Sequence, residues 1–211
     1  MARKKKEELI QFNRSSILET AKNLFLEKGI QQTTMDDIAK EADYSKSTIY
    51  VYFKSKEEIY NYIIYEHMLL LKESLHKSIG LSQNNFRGCY YGICHTLIEL
   101  QEQYPLYFES ILGEISIKPK DFEEQPILLN IYHIGEEINK MIAELLQMGI
   151  DNKYIRPDIK PLQTTFTLWS CISSVISLAD KKENYINMEM NISKQEFLQD
   201  SFDLILRSII M

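Results

Sequence analysis

Residues 33–58, TTMDDIAKEADYSKSTIYVYFKSKEE, put two short amphipathic helices, a tight turn and a cluster of polar and basic side chains into one stretch near the N-terminus. Thr34 is positioned to cap a helix, with Asp37 three residues on to close a capping box; Met35, Ile38, Ala39 and Ala42 then share one helical face. Asp43 stands at the break, where left-handed backbone is needed, and Ser45 can cap a second helix that runs to Tyr52. Ile49 and Phe53 carry on the apolar face, which leaves Lys46, Ser47, Thr48, Tyr50, Val51 and Tyr52 toward the turn and the exposed side. Helices joined by a turn of about three residues cross steeply, so that the second can enter a DNA major groove while the first spans the backbone. Ser55 with Glu58 repeats the capping pattern and starts a third helix, with Lys54 and Lys56 beside an N-terminus that favours anions. The plainer alternative is a helical hairpin whose tyrosines pack in a core. It gives no reason to set two tyrosines and two lysines around a capped helix start while Ser, Lys and Thr stay exposed.

Composition bounds the remainder. A chain of 211 residues buries roughly 70% of its unfolded surface, enough for one large or two small domains without staples. Cys89, Cys94 and Cys171 are too few and too scattered for a disulfide framework or a zinc site, and the histidines add no ligand pattern; no metal and no cofactor is expected. Arg3, Lys4, Lys5 and Lys6 are followed by Glu7 and Glu8 rather than an apolar signal core, and no stretch approaches 18 uncharged apolar residues. The expectation is a cytoplasmic protein with no membrane partner. Residues 1–60 carry a net +1 and residues 61–211 a net −7, so DNA binding must be confined to the N-terminal end. The basic arm at residues 3–6 can lie on phosphates or in a minor groove, or be a disordered solvated tail when no DNA is bound.

At residues 33–59 the chain resembles the TetR family of bacterial transcriptional repressors, whose signature runs T-x-x-D-I-A-x-x-A-G-V-S-x-G-x-L-Y-x-Y-F-x-S-K-E-x-L. Asp37, Ile38, Ala39, Ala42, Ser45, Tyr50, Tyr52, Phe53, Ser55, Lys56, Glu57 and Ile59 fit; Asp43 and Ser47 replace the two glycines, and Tyr44 a small aliphatic. The resemblance covers residues 10–60 and implies an all-α fold. A helix-turn-helix DNA-binding domain would occupy 1–60, and a helical domain for ligand binding and dimerisation 61–211. It further implies that Lys46, Ser47 and Thr48 approach base edges, while Thr33, Tyr50, Tyr52, Lys54 and Lys56 hold phosphates; Thr34 and Ser45, at the helix N-termini, complete the DNA-facing set.

The rest of the chain reads as helix throughout. Ser15 to Lys28 forms a first helix with Ile17, Ala21, Leu24 and Phe25 on one face and Gly29 as its stop. A long helix runs from Lys56 to Ile79, ended by Gly80, and is the obvious lever between DNA and body. Further helices are expected at 84–103, 105–117 and 123–148 before Gly149, then from Arg156-Pro157 to about 180, and a last one capped by Ser193 with Glu196.

The middle helices supply aromatic and soft side chains suited to an apolar ligand chamber: Tyr90, Tyr91, Cys94, His95, Phe108, Ile111, Leu112, Ile115, Met141, Leu145, Phe166 and Trp169. Each taken singly reads more readily as plain core. His95 with Glu99 has the i, i+4 spacing that metal sites use, but a solvated pair is far commoner, and Glu114 could complement a cationic ligand or simply face water. The uncharged run LQTTFTLWSCISSVISL at 162–178 and the apolar C-terminus suggest a partner surface through Leu168, Ile172, Val175, Ile176, Phe197, Phe202, Ile205 and Ile209. The alternative is that both are core of a large bundle. In the resembling family the last two helices pair across a two-fold axis.

These features favour a repressor that holds a palindromic operator in double-stranded DNA as a homodimer and is released by a small apolar or amphipathic effector. A binding module with no inducer, recruiting a protein partner, is the alternative. An enzyme is not expected, because no nucleophile has a base at readable spacing: Cys94 and His95 point about 100° apart on a helix.

Overall fold

The computed structural model describes residues 2–81, 85–111 and 118–211. Among these residues the protein is all-α, with one isolated antiparallel bridge between Ile155 and Ile210 in place of any strand. Its contacts divide it into two compact units, Met1–His67 with Ile115–Ile131, and Met68–Glu114 with Tyr132–Met211.

The first unit is built on α1 (Ala2–Lys28), α2 (Met35–Glu41), α3 (Lys46–Tyr52) and the beginning of α4 (Lys56–Leu81). Gly29 ends α1 at φ 80°, as its position after the last apolar residue predicts. The helix begins earlier than expected, however, taking in the basic arm. That segment holds no helix breaker, and Lys4 with Glu8 is a favourable i, i+4 pair. At α2 the capping box is complete: the Thr34 hydroxyl accepts from the Asp37 N–H at 3.1 Å, and the Asp37 carboxylate accepts from the Thr34 N–H at 2.8 Å. Asp43 turns the chain at φ 58°, and Ser45 caps α3 by accepting from the Thr48 N–H at 3.1 Å. Ile17, Ala21, Phe25, Ile38, Ile49, Phe53, Ile59 and Ile63 bury fully or almost fully into one core, each of the larger ones contributing about 1.5–3 kcal/mol. The short helix α7 (Pro119–Glu124) also belongs to this unit, which Asn61 and Gln125 tie by an amide hydrogen bond of 2.9 Å.

The second unit holds the rest of α4, then α5 (Phe86–Gln103), α6 (Pro105–Ile111), most of α8 (Pro126–Asp151), α9 (Pro161–Lys181), the single turn α10 (Glu183–Tyr185), a π-helical turn at Ile186–Met190 and α11 (Lys194–Arg207). The Ser193–Glu196 capping box forms as expected. Several boundaries differ from the expectation. α4 passes through Gly80 instead of ending there. α8 starts at Pro126 and runs through Gly149, and α9 begins at Pro161 rather than at Pro157. In both later helices a proline opens the first turn, where its missing N–H costs nothing. Gly149 is a packing position: an added Cβ would lie 2.6 Å from the Ile155 Cδ1. Beyond Ile111 the expected 105–117 helix lies outside the described residues.

Cross-ties close this unit. The Tyr90 hydroxyl donates to the Phe202 carbonyl at 2.9 Å, the Tyr91 hydroxyl to the Asp203 carboxylate, the Trp169 Nε1 to Asn139 at 3.2 Å, and Lys194 pairs with Asp180 at 2.9 Å. α9 is, by length and a mean hydropathy of 1.2, apolar enough to cross a membrane, contrary to the expectation that no stretch would be. Its inner stripe, Leu168, Ile172, Ile176 and Ala179, is nevertheless buried in the unit's own core.

Thr34→Ala removes the α2 cap and should lower stability to urea by about 1 kcal/mol at pH 7. The Thr34 hydroxyl, then Lys28 and the Thr34 N–H, hold the Asp37 carboxyl at about 2, below its ordinary value. A depressed carboxyl stabilises the fold above its unfolded value and stops doing so as pH falls through the folded one. The difference between wild type and variant should therefore shrink as pH is lowered from about 4 toward 2.

Candidate nucleic-acid interface

α3 is seven residues long, too short to hold its shape or direction alone. Its inner side is fixed by Ile49, fully buried, and by Phe53 just past its end. Its outer side presents Lys46, Ser47, Tyr50 and Val51, with Tyr50 47% and Val51 78% exposed. Val51 lies on this face, as the sequence pattern expects. An exposed aliphatic group on such a helix suits the thymine methyl, and its i+4 spacing from Ser47 is the signal that finds it.

The helix start is a cluster of hydroxyls. Ser45 Oγ lies 2.8 Å from Ser47 Oγ and 2.7 Å from Thr48 Oγ1. Lys46 pairs with Asp36 at 2.9 Å, both exposed, and this partner raises the lysine's pKa. Thr34 is exposed and engaged in its capping box, and Lys54 is exposed with its N–H donated to Glu58 at 2.5 Å. The reciprocal bond, Glu58 N–H to Ser55 Oγ, is 3.2 Å, so the cap of α4 spans three residues instead of closing on Ser55 alone.

Two of the expected phosphate contacts are otherwise occupied. Thr33 is 1% exposed and its hydroxyl donates to the Gly29 carbonyl at 2.9 Å, so its side chain braces the end of α1 rather than the surface. Lys56 Nζ donates to the Ile30 carbonyl at 2.7 Å and is a clamp on the α1–α2 connection. The Lys56 bond joins residues 26 apart, which periodicity does not register; the Thr33 bond spans only four, but across the break after α1, where no helical pattern runs.

A third group of residues was missed altogether. The Asn13 side-chain amide donates to the Tyr52 hydroxyl at 2.8 Å and accepts from the Tyr44 hydroxyl at 3.0 Å, bridging the turn before α3 to its last residue. Arg14 donates to the Tyr52 carbonyl at 3.0 Å, and its guanidinium lies 4.5 Å from the ring centroids of both Phe53 and Tyr62. With the Tyr52 oxygen accepting from Asn13, its own proton is directed elsewhere. The signal for this group is in the sequence: the stripe Ile17, Ala21, Phe25, extended back one turn, lands on Asn13 and Arg14, polar residues at core-facing positions.

In the second unit the expected ligand residues scatter. Tyr90, Cys94, Phe108 and Leu145 are buried; burial pushes the Cys94 thiol up to about 12, and raises the Tyr90 hydroxyl as well. Tyr91, Met141 and Trp169 are half-buried, whereas His95 is exposed and Phe166 is 57% exposed, which takes both out of any closed chamber. Glu99 is exposed like His95. The Ile111 side chain, Leu112, Glu114 and Ile115 lie outside the described residues. Of the expected partner-surface residues, Leu168, Ile172, Ile176, Phe202 and Ile209 are buried within the chain itself, and Val175, Phe197 and Ile205 are half-buried. The apolar side chains left outside on these two helices are Leu162, Phe166, Leu178 and Leu204, the last 72% exposed.

Comparison with known proteins bears on this arrangement. Residues 17–63 match the profile of the bacterial regulatory proteins, tetR family. The chain is 29% identical over 156 residues to YfiR, an HTH-type transcriptional regulator of Bacillus subtilis, covering 71% of each protein. It is 24% identical over 160 residues to IcaR of Staphylococcus aureus, described as a negative transcriptional regulator of the biofilm operon icaADBC, covering 74% of this chain and 79% of IcaR. A transcriptional regulator of the TetR/AcrR family from Thermobifida fusca has the same fold at a TM-score of 0.67 and 22% identity, over 92% of this chain and 96% of its own.

Lys56→Ala should lower thermal stability, by about 1 kcal/mol for a charge-assisted bond at a half-buried site. Asn13→Ala should leave helix content unchanged by circular dichroism but speed amide exchange at Tyr44 to Tyr52. Unaltered exchange there would show that the amide bridge does not hold α3.

Proposed function

Because this chain belongs to the TetR family of transcriptional regulators, we propose that it is a cytoplasmic repressor that grips a palindromic operator as a homodimer. Residues 1–60 bind the DNA, and 61–211 supply the partner contact and the effector site. The observation that carries the reading is the division of α3. Its inner side is buried and tied through Asn13 and Arg14, while Lys46, Ser47, Tyr50 and Val51 are exposed on the outer side of a capped helix. Lys46, Ser47, Thr48 and Val51 meet base edges; Thr34, Ser45, Tyr50, Tyr52 and Lys54 hold phosphates. Repression is favoured over activation by the likeness to IcaR, a negative regulator.

One such helix reads only a few base pairs, so two are needed, about one helical turn apart. The pairing surface is the outer face of α9 with α11, through Leu162, Phe166, Leu178 and Leu204, which surround exposed small residues such as Ser170 and Ser174. A small apolar or amphipathic molecule that prefers the state unable to bind DNA needs a coupling of only about 1–3 kcal/mol to release the operator. α4, continuous from one unit into the other, is the element through which that preference is transmitted.

Two substitutions separate the roles. Lys54→Ala should weaken binding to every duplex alike and reduce the salt slope by about 0.9, whereas Val51→Ala should alter base preference at one position of each half-site. Leu204→Glu should shift the protein to monomer in sedimentation and lose operator binding with it. A Leu204→Glu protein that stays dimeric contradicts the pairing surface.

A further inference from the structure

Two clefts adjoin in the second unit, away from every residue given a role above except Leu145. The first, of about 270 Å³, lies among the C-terminal ends of α4 and α8 and the start of α5, and Ile79, Phe86, Cys89, Leu145 and Met148 make it apolar. The second, of about 310 Å³, shares Asn85, Phe86 and Tyr154 with the first and adds Arg87 and Lys153. Among the described residues neither lining includes an Asp or Glu, although residues 61–211 carry a net −7. Arg87 and Lys153 thus bring two exposed cations to one cleft of an otherwise acidic unit, and the Asp203 carboxylate, within electrostatic reach of Arg87, is itself engaged by the Tyr91 hydroxyl.

The walls are held in place. Tyr154 donates its N–H to the Gly149 carbonyl at 2.8 Å and accepts from the Met211 N–H at 3.2 Å. Lys153 sits at φ 60°, a left-handed conformation that non-glycine residues adopt rarely. α5, 18 residues long, begins between the two clefts, and its first N–H groups favour an anion at that end.

We propose that the paired clefts bind an amphipathic organic anion, its apolar body in the first cleft and its carboxylate or sulfonate between Arg87 and Lys153. An apolar cavity of about 150 Å³ accommodates benzene, so the first cleft takes a body of two rings or a short branched chain. Asn85 and Asn152, each spending one amide atom on a helix end, provide a polar edge at the mouth. This site goes beyond the regulatory reading and does not depend on it, since its test reads binding without DNA.

Two probes that differ by a single sulfonate decide the matter: 1-anilinonaphthalene-8-sulfonate and its uncharged parent, N-phenyl-1-naphthylamine. Both are titrated by fluorescence into the full chain. Among the described residues a Cβ added at Gly80 meets nothing within 4 Å, so Gly80→Leu starts a side chain in open space at the wall of the apolar cleft and relieves α4 of a helix-weakening glycine. Arg87→Gln with Lys153→Asn removes both charges, and asparagine tolerates the left-handed backbone. Thermal midpoints confirm that each variant is folded. The expected result is saturable binding of the sulfonate, lost about tenfold or more in Gly80→Leu for both probes. The double variant weakens the sulfonate about five- to tenfold and leaves the uncharged probe unchanged. Binding unaffected by Gly80→Leu, equal weakening of both probes in the double variant, or binding that never saturates each overturns the proposal.

Discussion

The guanidinium of Arg14 holds the N-terminal unit to a single arrangement. It lies 4.5 Å from the ring centroids of Phe53, at the end of α3, and Tyr62, in α4, and it donates to the Tyr52 carbonyl. That carbonyl is one of the orphan acceptors at the C-terminus of α3, where the helix dipole is negative and a cation is favoured. One side chain of α1 thus satisfies the end of the recognition helix and packs between two rings, a contact contributing about 1–2 kcal/mol when partly desolvated. Since a helix of seven residues has no persistence of its own, its direction relative to α1 and α4 rests on this contact and on the Asn13 bridge beside it.

The same economy governs charge. Lys46 is held by Asp36 and Asp37 by Lys28, the latter pair at 3.0 Å. Exposed pairs of this kind contribute about 0–1 kcal/mol. On the proposed function, Lys46 would exchange Asp36 for a phosphate or a guanine edge at small cost. With the body of the chain acidic, the proposed function places attraction to DNA where α3 and the start of α4 present their side chains, which would impose orientation before bases are read.

What sequence conveyed, and what it did not, follows the range of the interactions. The caps at Thr34, Ser45 and Ser193 are bonds across three residues, and Asp43 and Gly29 are single-residue backbone choices. All are local, and all were legible. Lys56 and Asn13 act through bonds to residues 26 and 39 positions away, whose partners become neighbours only once α1, α3 and α4 have packed. α9 failed differently. A helix with no charge from Leu162 to Leu178 has no polar face to set its phase, so the stripe that packs inward, Leu168, Ile172 and Ile176, could not be told from the one at Leu162, Phe166 and Leu178 that remains outside. The N-terminal arm is dominated by charge, which suggests phosphate contact or disorder, but its strong helix formers decide the backbone and α1 runs through it.

The central claim is that the outer face of α3, presented twice by a dimer, reads one DNA sequence. It is tested most directly by fluorescence-anisotropy titration of the protein against the DNA upstream of its own gene, at several salt concentrations, with an unrelated duplex alongside. The account predicts tight binding to one palindromic segment, two chains per site, with affinity falling steeply as salt rises. Equal and weak binding to both duplexes, tracking salt in the same way, would contradict it.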